Sequence, residues 1–438
     1  MSNQSNEVVI SKLALFGGKK IREQPFAPQQ NFDEEEKRLV MEVIDSKELS
    51  GFLASPGEKF MGGSKVKMLE GLFEEKYGVK HALALNSATA GLHAAVAALN
   101  INPGDEVLVT PYSMSASATA IVMHNGIPVF VDIDDKTFNI DPEAIKKAIT
   151  PHTKAIIVVH LFGYPAPMDE IMEIAKGYNL KVIEDAAQAP RCLYKGKYVG
   201  TIGDVGVLSF NQNKTISTGE GGMIFTNNDE LAMRISLIRN HGEVVVEHYP
   251  VETVAGIIGY NYRMTELEAA IGVAQFHKLD KLTNHRIRLA EYLTDQLQQF
   301  SSVITCPQKE EGIDHVYFVY PMKFNSQKFG IHRDKFAEAV QAEGIPLFGG
   351  YVRPIYLEPM YQELLAYGDQ GFPFKGPHIQ KKISYPKGLS PVCERMHFND
   401  LLITPICRYP LGEKDIDDFV LAIKKVLDSK MELLDDGE

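Results

Sequence analysis

Two carboxylates stand side by side in Val182-Ile-Glu-Asp-Ala-Ala-Gln188, and a lysine follows 29 residues after the second of them. The run Lys181-Val-Ile-Glu184 reads as a strand, and in open α/β sheets ligands sit outside the carboxyl ends of strands. Glu184 and Asp185 therefore fall where chemistry is usually done. Side chains alternate across a strand, so only one of the two faces a ligand. Taken alone, Asp185 reads equally well as a helix N-cap. Lys214 lies five residues beyond a second apolar run, Val205-Gly-Val-Leu-Ser209, and shortly before the turn Gly219-Glu-Gly-Gly222. A lysine held at a sheet edge and partly desolvated has a lowered pKa and can form a Schiff base. Glycines just beyond it let the backbone pass close to a bound ring. By itself Lys214 reads more readily as a surface lysine, and the glycines as a tight turn. In Leu85-Asn-Ser-Ala-Thr-Ala-Gly91 a strand runs into a helix. Ser87 and Thr89 can cap that helix while its first N–H groups hold a phosphate, although simple capping explains the pattern as well.

Together the three segments are more specific than any one of them. A phosphate cradle, an acid at a strand end and a downstream lysine are the parts pyridoxal phosphate requires. The acid keeps the pyridine nitrogen protonated so that the ring works as an electron sink, and the lysine carries the cofactor and moves a proton.

These residues need a scaffold that brings strand ends together. Short apolar runs without polar alternation recur at Glu106–Thr110, Pro128–Asp132, Ala155–Val159, Lys181–Glu184, Val205–Ser209 and Gly222–Thr226, as strands covered on both faces require. Helical segments separate them at Thr89–Leu99, Pro142–Ile149 and Met168–Tyr178. Such alternation predicts a mainly parallel sheet in an α/β domain. From Met264 to Phe300 the spacing turns helical, with Leu267, Ile271 and Ala274 on one face and Thr265 with Glu268 as a capping pair. The expected organisation is an N-terminal segment (1–60), a large α/β domain (61–265), a linking helix (266–300) and a smaller α+β C-terminal domain (301–438) rich in proline. The acidic tail Leu433–Glu438 is expected to fray.

Composition excludes several classes. With 438 residues the chain is long enough for two domains, and 45% hydrophobic against 23% charged residues is ordinary for a soluble globular protein. A net charge of −12 opposes non-specific nucleic-acid binding and docking on anionic membranes. Cys192, Cys306, Cys393 and Cys407 form no CxxC or Cys/His cluster, so neither zinc nor a disulfide framework is suggested. Met1–Lys19 lacks a signal-peptide profile, and no apolar run reaches the ~18 residues of a membrane helix. The expected compartment is the cytoplasm. No G-x-G-x-x-G follows the first strand and no G-x-S-x-G elbow occurs.

Over nearly its whole length the sequence resembles the DegT/DnrJ/EryC1/StrS family of pyridoxal-phosphate enzymes, mostly aminotransferases of keto-sugars and keto-cyclitols. The segments that carry the resemblance are Leu13-Ala-Leu-Phe-Gly-Gly18, Asn86-Ser-Ala-Thr-Ala-Gly-Leu92, Glu184-Asp-Ala-Ala-Gln-Ala189, Gly203-Asp204, Ser209-Phe210, Lys214, Gly219-Glu-Gly-Gly222 and Gly259-Tyr-Asn-Tyr-Arg-Met-Thr265. The resemblance implies the fold type I of such transferases. It implies Lys214 as the Schiff-base lysine and proton shuttle, Asp185 on the pyridinium nitrogen and Gln188 on the phenolic oxygen. Ser87, Ala88, Thr89 and Ser209 would then hold the phosphate. Asn261 would reach the phosphate of a neighbouring subunit, which makes a homodimer with shared sites the functional unit, and Arg263 would lie near the sugar. For Asn261 and Arg263 a plain loop-stabilising role stays open.

Some positions depart from the family pattern. Met114 aligns, to within one residue, with an aromatic that stacks on the cofactor, and a thioether can pack on a ring. Ala88 replaces a common glycine. In Gly350-Tyr-Val-Arg-Pro-Ile-Tyr356, Tyr356 stands for a histidine close to the substrate. The opening segment and Tyr351–Tyr356 look like the branch acting on inososes and aminohydroxybenzoate precursors, with the nucleotide-sugar branch close. The implied partners are a keto-sugar or keto-cyclitol and glutamate or glutamine as donor. A related dehydratase would replace the lysine by histidine, and a catalytically idle binding relative would have lost Lys214 or Asp185. Both residues are present.

Overall fold

In a computed structural model that describes residues 12–29 and 31–435, the apolar runs of the first half assemble into one seven-stranded sheet. Two helices, α1 (Glu34–Ser46) and α2 (Ser64–Tyr77), precede it. The strands are β1 (His81–Leu85), β2 (Glu106–Val109), β3 (Ile127–Phe130), β4 (Thr153–Val159), β5 (Lys181–Asp185), β6 (Val205–Ser209) and β7 (Gly222–Thr226), in the spatial order β1-β7-β6-β5-β4-β2-β3. All run parallel except β7, which pairs antiparallel with both β1 and β6. Every residue of β2, β6 and β7 is buried, which is why these segments read as unbroken apolar runs. Helices α3 (Ala88–Ala98), α4 (Ala116–Met123), α5 (Pro142–Ala148) and α6 (Met168–Tyr178) connect the first five strands, and α7 (Asp229–Arg239) follows β7. The six predicted strands and three predicted helices are all present, with ends moved by a residue or two.

Each face of the sheet carries its own core. Leu39, Leu69, Phe73 and Ile171 cover one face, and α3, α4 and α7 cover the other through residues such as Leu92, Ile121 and Ile235. The long helix α8 (Glu266–Leu297) begins with the predicted capping box: Thr265 Oγ1 accepts the Glu268 N–H, and the Glu268 carboxylate accepts the Thr265 N–H. Its 32 residues span about 48 Å. That reach lets Leu279 and Leu282 join the first core while Leu289, Leu293 and Leu297 enter another. This third core lies under a four-stranded antiparallel sheet of β8 (Ile304–Thr305), β9 (Tyr320–Phe324), β10 (Phe348–Gly349) and β11 (Leu401–Thr404), ordered β8-β9-β11-β10. Helices α9 (Arg333–Ala342) and α10 (Glu413–Asp428) pack on it. Buried Glu343 binds the N-terminal segment to this unit, accepting the Ala14 and Ile21 N–H groups and the Lys425 ammonium.

The proline-rich stretch does not stay with the second sheet. Ile355, Tyr356, Tyr361, Phe374 and Tyr385 pack into the core of the first sheet, and Tyr385 Oη donates to the Pro128 carbonyl at 2.8 Å. Aromatic residues scattered among prolines and glycines show no period, so their destination was not legible from spacing. Residues Met1–Ser11 and the last three of the acidic tail lie outside the described residues.

Candidate active site

Because β1, β5 and β6 run parallel and β7 runs against them, the ends of β1, β5 and β6 and the start of β7 share one sheet edge. Register aligns Leu85 with Gly222 and Gly222 with Ser209. Ser87 caps α3 by accepting the Ala90 N–H at 3.0 Å, which leaves the Ala88 and Thr89 amides without acceptors among the described residues. Two free N–H groups at a helix N-terminus, where the dipole is positive, form an anion cradle. Gly222 backs directly on it. A Cβ there would lie 2.7 Å from the Ala88 nitrogen, so glycine serves to let β7 pass behind the cradle. Buried Ser209 ends β6 beside it.

The two adjacent carboxylates point to opposite faces, as strand alternation requires. Glu184 is fully buried and structural: it accepts the N–H groups of Gly200, Ile202 and Gly203 and pairs with His160 Nε2 at 3.0 Å. His160 Nδ1 accepts the Ala166 N–H, so the imidazole proton sits on Nε2 and is donated to Glu184. Asp185 faces the other way, at the strand's carboxyl end. Its Oδ2 accepts Ser117 Oγ–H at 2.7 Å and its Oδ1 accepts the Ala187 N–H at 3.1 Å. Gln188, 3% exposed, accepts the Phe162 N–H at 2.7 Å. Phe162 adopts a left-handed φ of 58° to present that amide, a conformation that costs a bulky residue about 1–3 kcal/mol and is characteristic of functional sites.

Lys214 rides on the loop between β6 and β7. The loop's base is closed by Phe210, which bonds to Thr218 and Gly221, and Gln29 Nε2 donates to the Lys214 carbonyl at 2.9 Å. The Lys214 Nζ lies 4.5 Å from the centre of the Phe318 ring. Burial lowers Lys214 from 10.5 to about 8, with the Asp185 charge pulling it back upward. The sheet edge thus brings together an anion cradle, a carboxylate whose acceptor atoms are already ordered, and a lysine with weakened proton affinity.

Other expected residues are placed differently. Met114 is 61% exposed in the single chain, and its carbonyl accepts the Ser117 N–H; Ser117, in the first turn of α4, is the residue of that segment that touches Asp185. Tyr356, taken from the sequence as substrate-facing, is buried among Phe130, Tyr361 and Tyr385, and its hydroxyl donates to Glu394. The residue of that segment that reaches the site is Tyr351, which accepts from Gln188 Nε2 at 3.2 Å. Asn261 is exposed, and its backbone carbonyl accepts Asn86 Nδ2 at 3.2 Å. Arg263 Nη1 donates to Asn240 Oδ1 at 3.0 Å, and the Arg263 backbone bridges to Leu85. The four cysteines are unpaired.

The chain belongs to the DegT/DnrJ/EryC1/StrS aminotransferase family, which it matches over residues 42–387, and it is a pyridoxal-phosphate-dependent aminotransferase. GDP-perosamine synthase of Caulobacter vibrioides is 37% identical over 335 residues, covering 76% of this chain and 85% of that protein. A putative L-glutamine:3-amino-2,3-dideoxy-scyllo-inosose aminotransferase of Micromonospora echinospora is 31% identical over 421 residues, 95% of this chain and 97% of that protein. The solved structure of an aminotransferase from Psychrobacter cryohalolentis superposes with a TM-score of 0.80 at 30% identity, covering 93% of this chain and 100% of that one. The relatives therefore include both a nucleotide-sugar and a cyclitol enzyme.

Proposed function

We propose that this chain transfers an amino group from L-glutamate or L-glutamine to a keto-sugar or keto-cyclitol, the donor leaving before the ketone enters the same site. One observation carries this: Lys214, with burial holding it near 8, and Asp185 meet beside the free N–H groups of α3. The residues fit pyridoxal phosphate. The Ala88 and Thr89 amides with Ser209 would hold its phosphate, Ser87 shaping the cradle as the cap. Asp185 would hold a proton on the pyridine nitrogen, and Gln188 would donate to the phenolic oxygen. Bound there, the cofactor supplies an electron sink for the bond that breaks at the amino carbon. Lys214 Nζ would take up the proton released from the amino carbon and give it back later in the transfer. Ser117 fixes the Asp185 carboxylate throughout, and Phe318 covers Lys214 against water.

Asn261 and Arg263 would act across a homodimer, Asn261 toward the partner's phosphate and Arg263 toward the sugar. The exposed apolar side chains Leu49, Leu53, Val244, Val254 and Ile258 support such a dimer, and Met114, whose carbonyl accepts the Ser117 N–H, would pack on the cofactor ring. No helix among the described residues is long and apolar enough to cross a membrane, and we assign the enzyme to the cytoplasm.

Incubating the protein with pyridoxal phosphate, each donor and a panel of inososes and nucleotide-linked keto-sugars, with mass detection of the aminated product, tests the substrate class. Amination of one panel member is expected; amination of ordinary 2-keto acids alone would contradict it. The lysine adds a pH signature. Lowered from 10.5 to about 8, Lys214 is a neutral nucleophile above that pH and protonated below it. Stopped-flow capture of pyridoxal phosphate by the cofactor-free protein should therefore accelerate through about pH 8 and level off above. Acceleration centred near 10.5 would contradict a desolvated Lys214.

A further inference from the structure

Gln188 is oriented before any ligand arrives. A backbone amide can only donate, so the Phe162 N–H at 2.7 Å identifies the Gln188 atom it meets as Oε1, and the carboxamide cannot be flipped. Nε2 is thereby turned toward Tyr351, whose Oη accepts one of its protons at 3.2 Å. Tyr351 is anchored in turn. Its backbone N–H donates to Tyr112 Oη at 2.8 Å, and its ring meets Phe162 edge-on at 5.1 Å and Tyr112 at 6.3 Å. Tyr112 itself is fully buried. The second Gln188 N–H has no acceptor among the described residues, and neither has the Tyr351 hydroxyl proton. Burial and the nearby Asp185 charge raise Tyr351 to about 12, so the hydroxyl stays protonated at neutral pH.

We propose that Tyr351 is a positioning residue that acts through Gln188, fixing the carboxamide so that its remaining N–H meets the phenolic oxygen of the bound pyridoxal ring. The inference rests on the function proposed above. Gln188 comes from the loop after β5 and Tyr351 from the segment after β10, so this bond links the two sheets at the cofactor. Without the hydroxyl, Gln188 keeps only its Phe162 tether and turns more freely about its last torsion.

Tyr351→Phe keeps the ring contacts with Phe162 and Tyr112 and removes only the hydroxyl. In the cofactor-loaded protein the dissociation constant of pyridoxal phosphate should rise about 3- to 10-fold, the effect of one neutral hydrogen bond. The pH at which the visible band titrates should move upward, because a phenolic oxygen with a weaker donor holds the neighbouring proton more tightly. A purely structural residue would not move that titration. In a Gln188→Ala background, Tyr351→Phe should change neither quantity. Unchanged affinity and titration in Tyr351→Phe would overturn the proposal, as would a shift of the same size in the Gln188→Ala background. Wild-type protein that takes up no pyridoxal phosphate would instead remove the functional reading beneath it, a failure seen before any variant is made.

Discussion

Lys214→Ala protein turns over no measurable substrate, yet still takes up pyridoxal phosphate weakly and reversibly. Loss of general acid–base transfer alone is expected to slow an enzyme by about 10²–10⁴-fold, and here the covalent anchor goes with it. Binding survives because the Ala88 and Thr89 amides belong to the backbone of α3 and do not depend on the lysine side chain. The lysine is half-buried on a loop tied down by main-chain bonds at Phe210 and by Gln29, so the alanine variant should fold normally. Steady-state turnover and equilibrium dialysis of the cofactor, run side by side, check both halves. Near-normal turnover would refute the role given to Lys214.

Asp185→Asn binds cofactor with little loss but reacts on the order of 10²–10³-fold more slowly, the usual effect of removing one preorganised charge-stabilising group. Asparagine can still accept the Ala187 N–H through its oxygen and donate to Ser117 Oγ through its nitrogen, so the local bonds that order the side chain are kept. What is lost is the negative charge that would hold the proton on the pyridine nitrogen. The same charge raises Lys214 against burial. Its removal should therefore carry the capture profile of the cofactor-free variant to a pH below about 8. A slower enzyme whose profile shifts upward, or does not shift, would separate Asp185 from Lys214 and contradict the arrangement.

The sequence made the scaffold readable where local rules apply. Buried strands such as Val205–Ser209 are continuous apolar runs because helices cover both faces. Thr265 and Glu268 mark the start of α8 because a capping box is written within four residues. Asp185 and Lys214 stood out because strand ends and a following loop are sequence-local features. Ser117, Phe318 and Tyr351 were not legible as site residues. They lie on three separate segments that only the packing of the two sheets brings to one edge, and nothing in their own neighbourhoods has a period or a spacing. Tyr351 and Tyr356 occur in the same short segment, and the choice between them depended on which side of the backbone faces the core. Core-bound Tyr356 shows how a segment can be identified correctly while the residue within it is not.

The most direct test is a visible absorption spectrum of the purified protein with pyridoxal phosphate, recorded before and after adding L-glutamate or L-glutamine. A yellow band that appears with cofactor and bleaches with one of the donors is the expected result, since Lys214 must first bind the cofactor and then give way to the incoming amine. A protein that stays colourless with cofactor would contradict the assignment of Lys214, and a yellow protein that neither donor bleaches would contradict the assignment of glutamate or glutamine as donor.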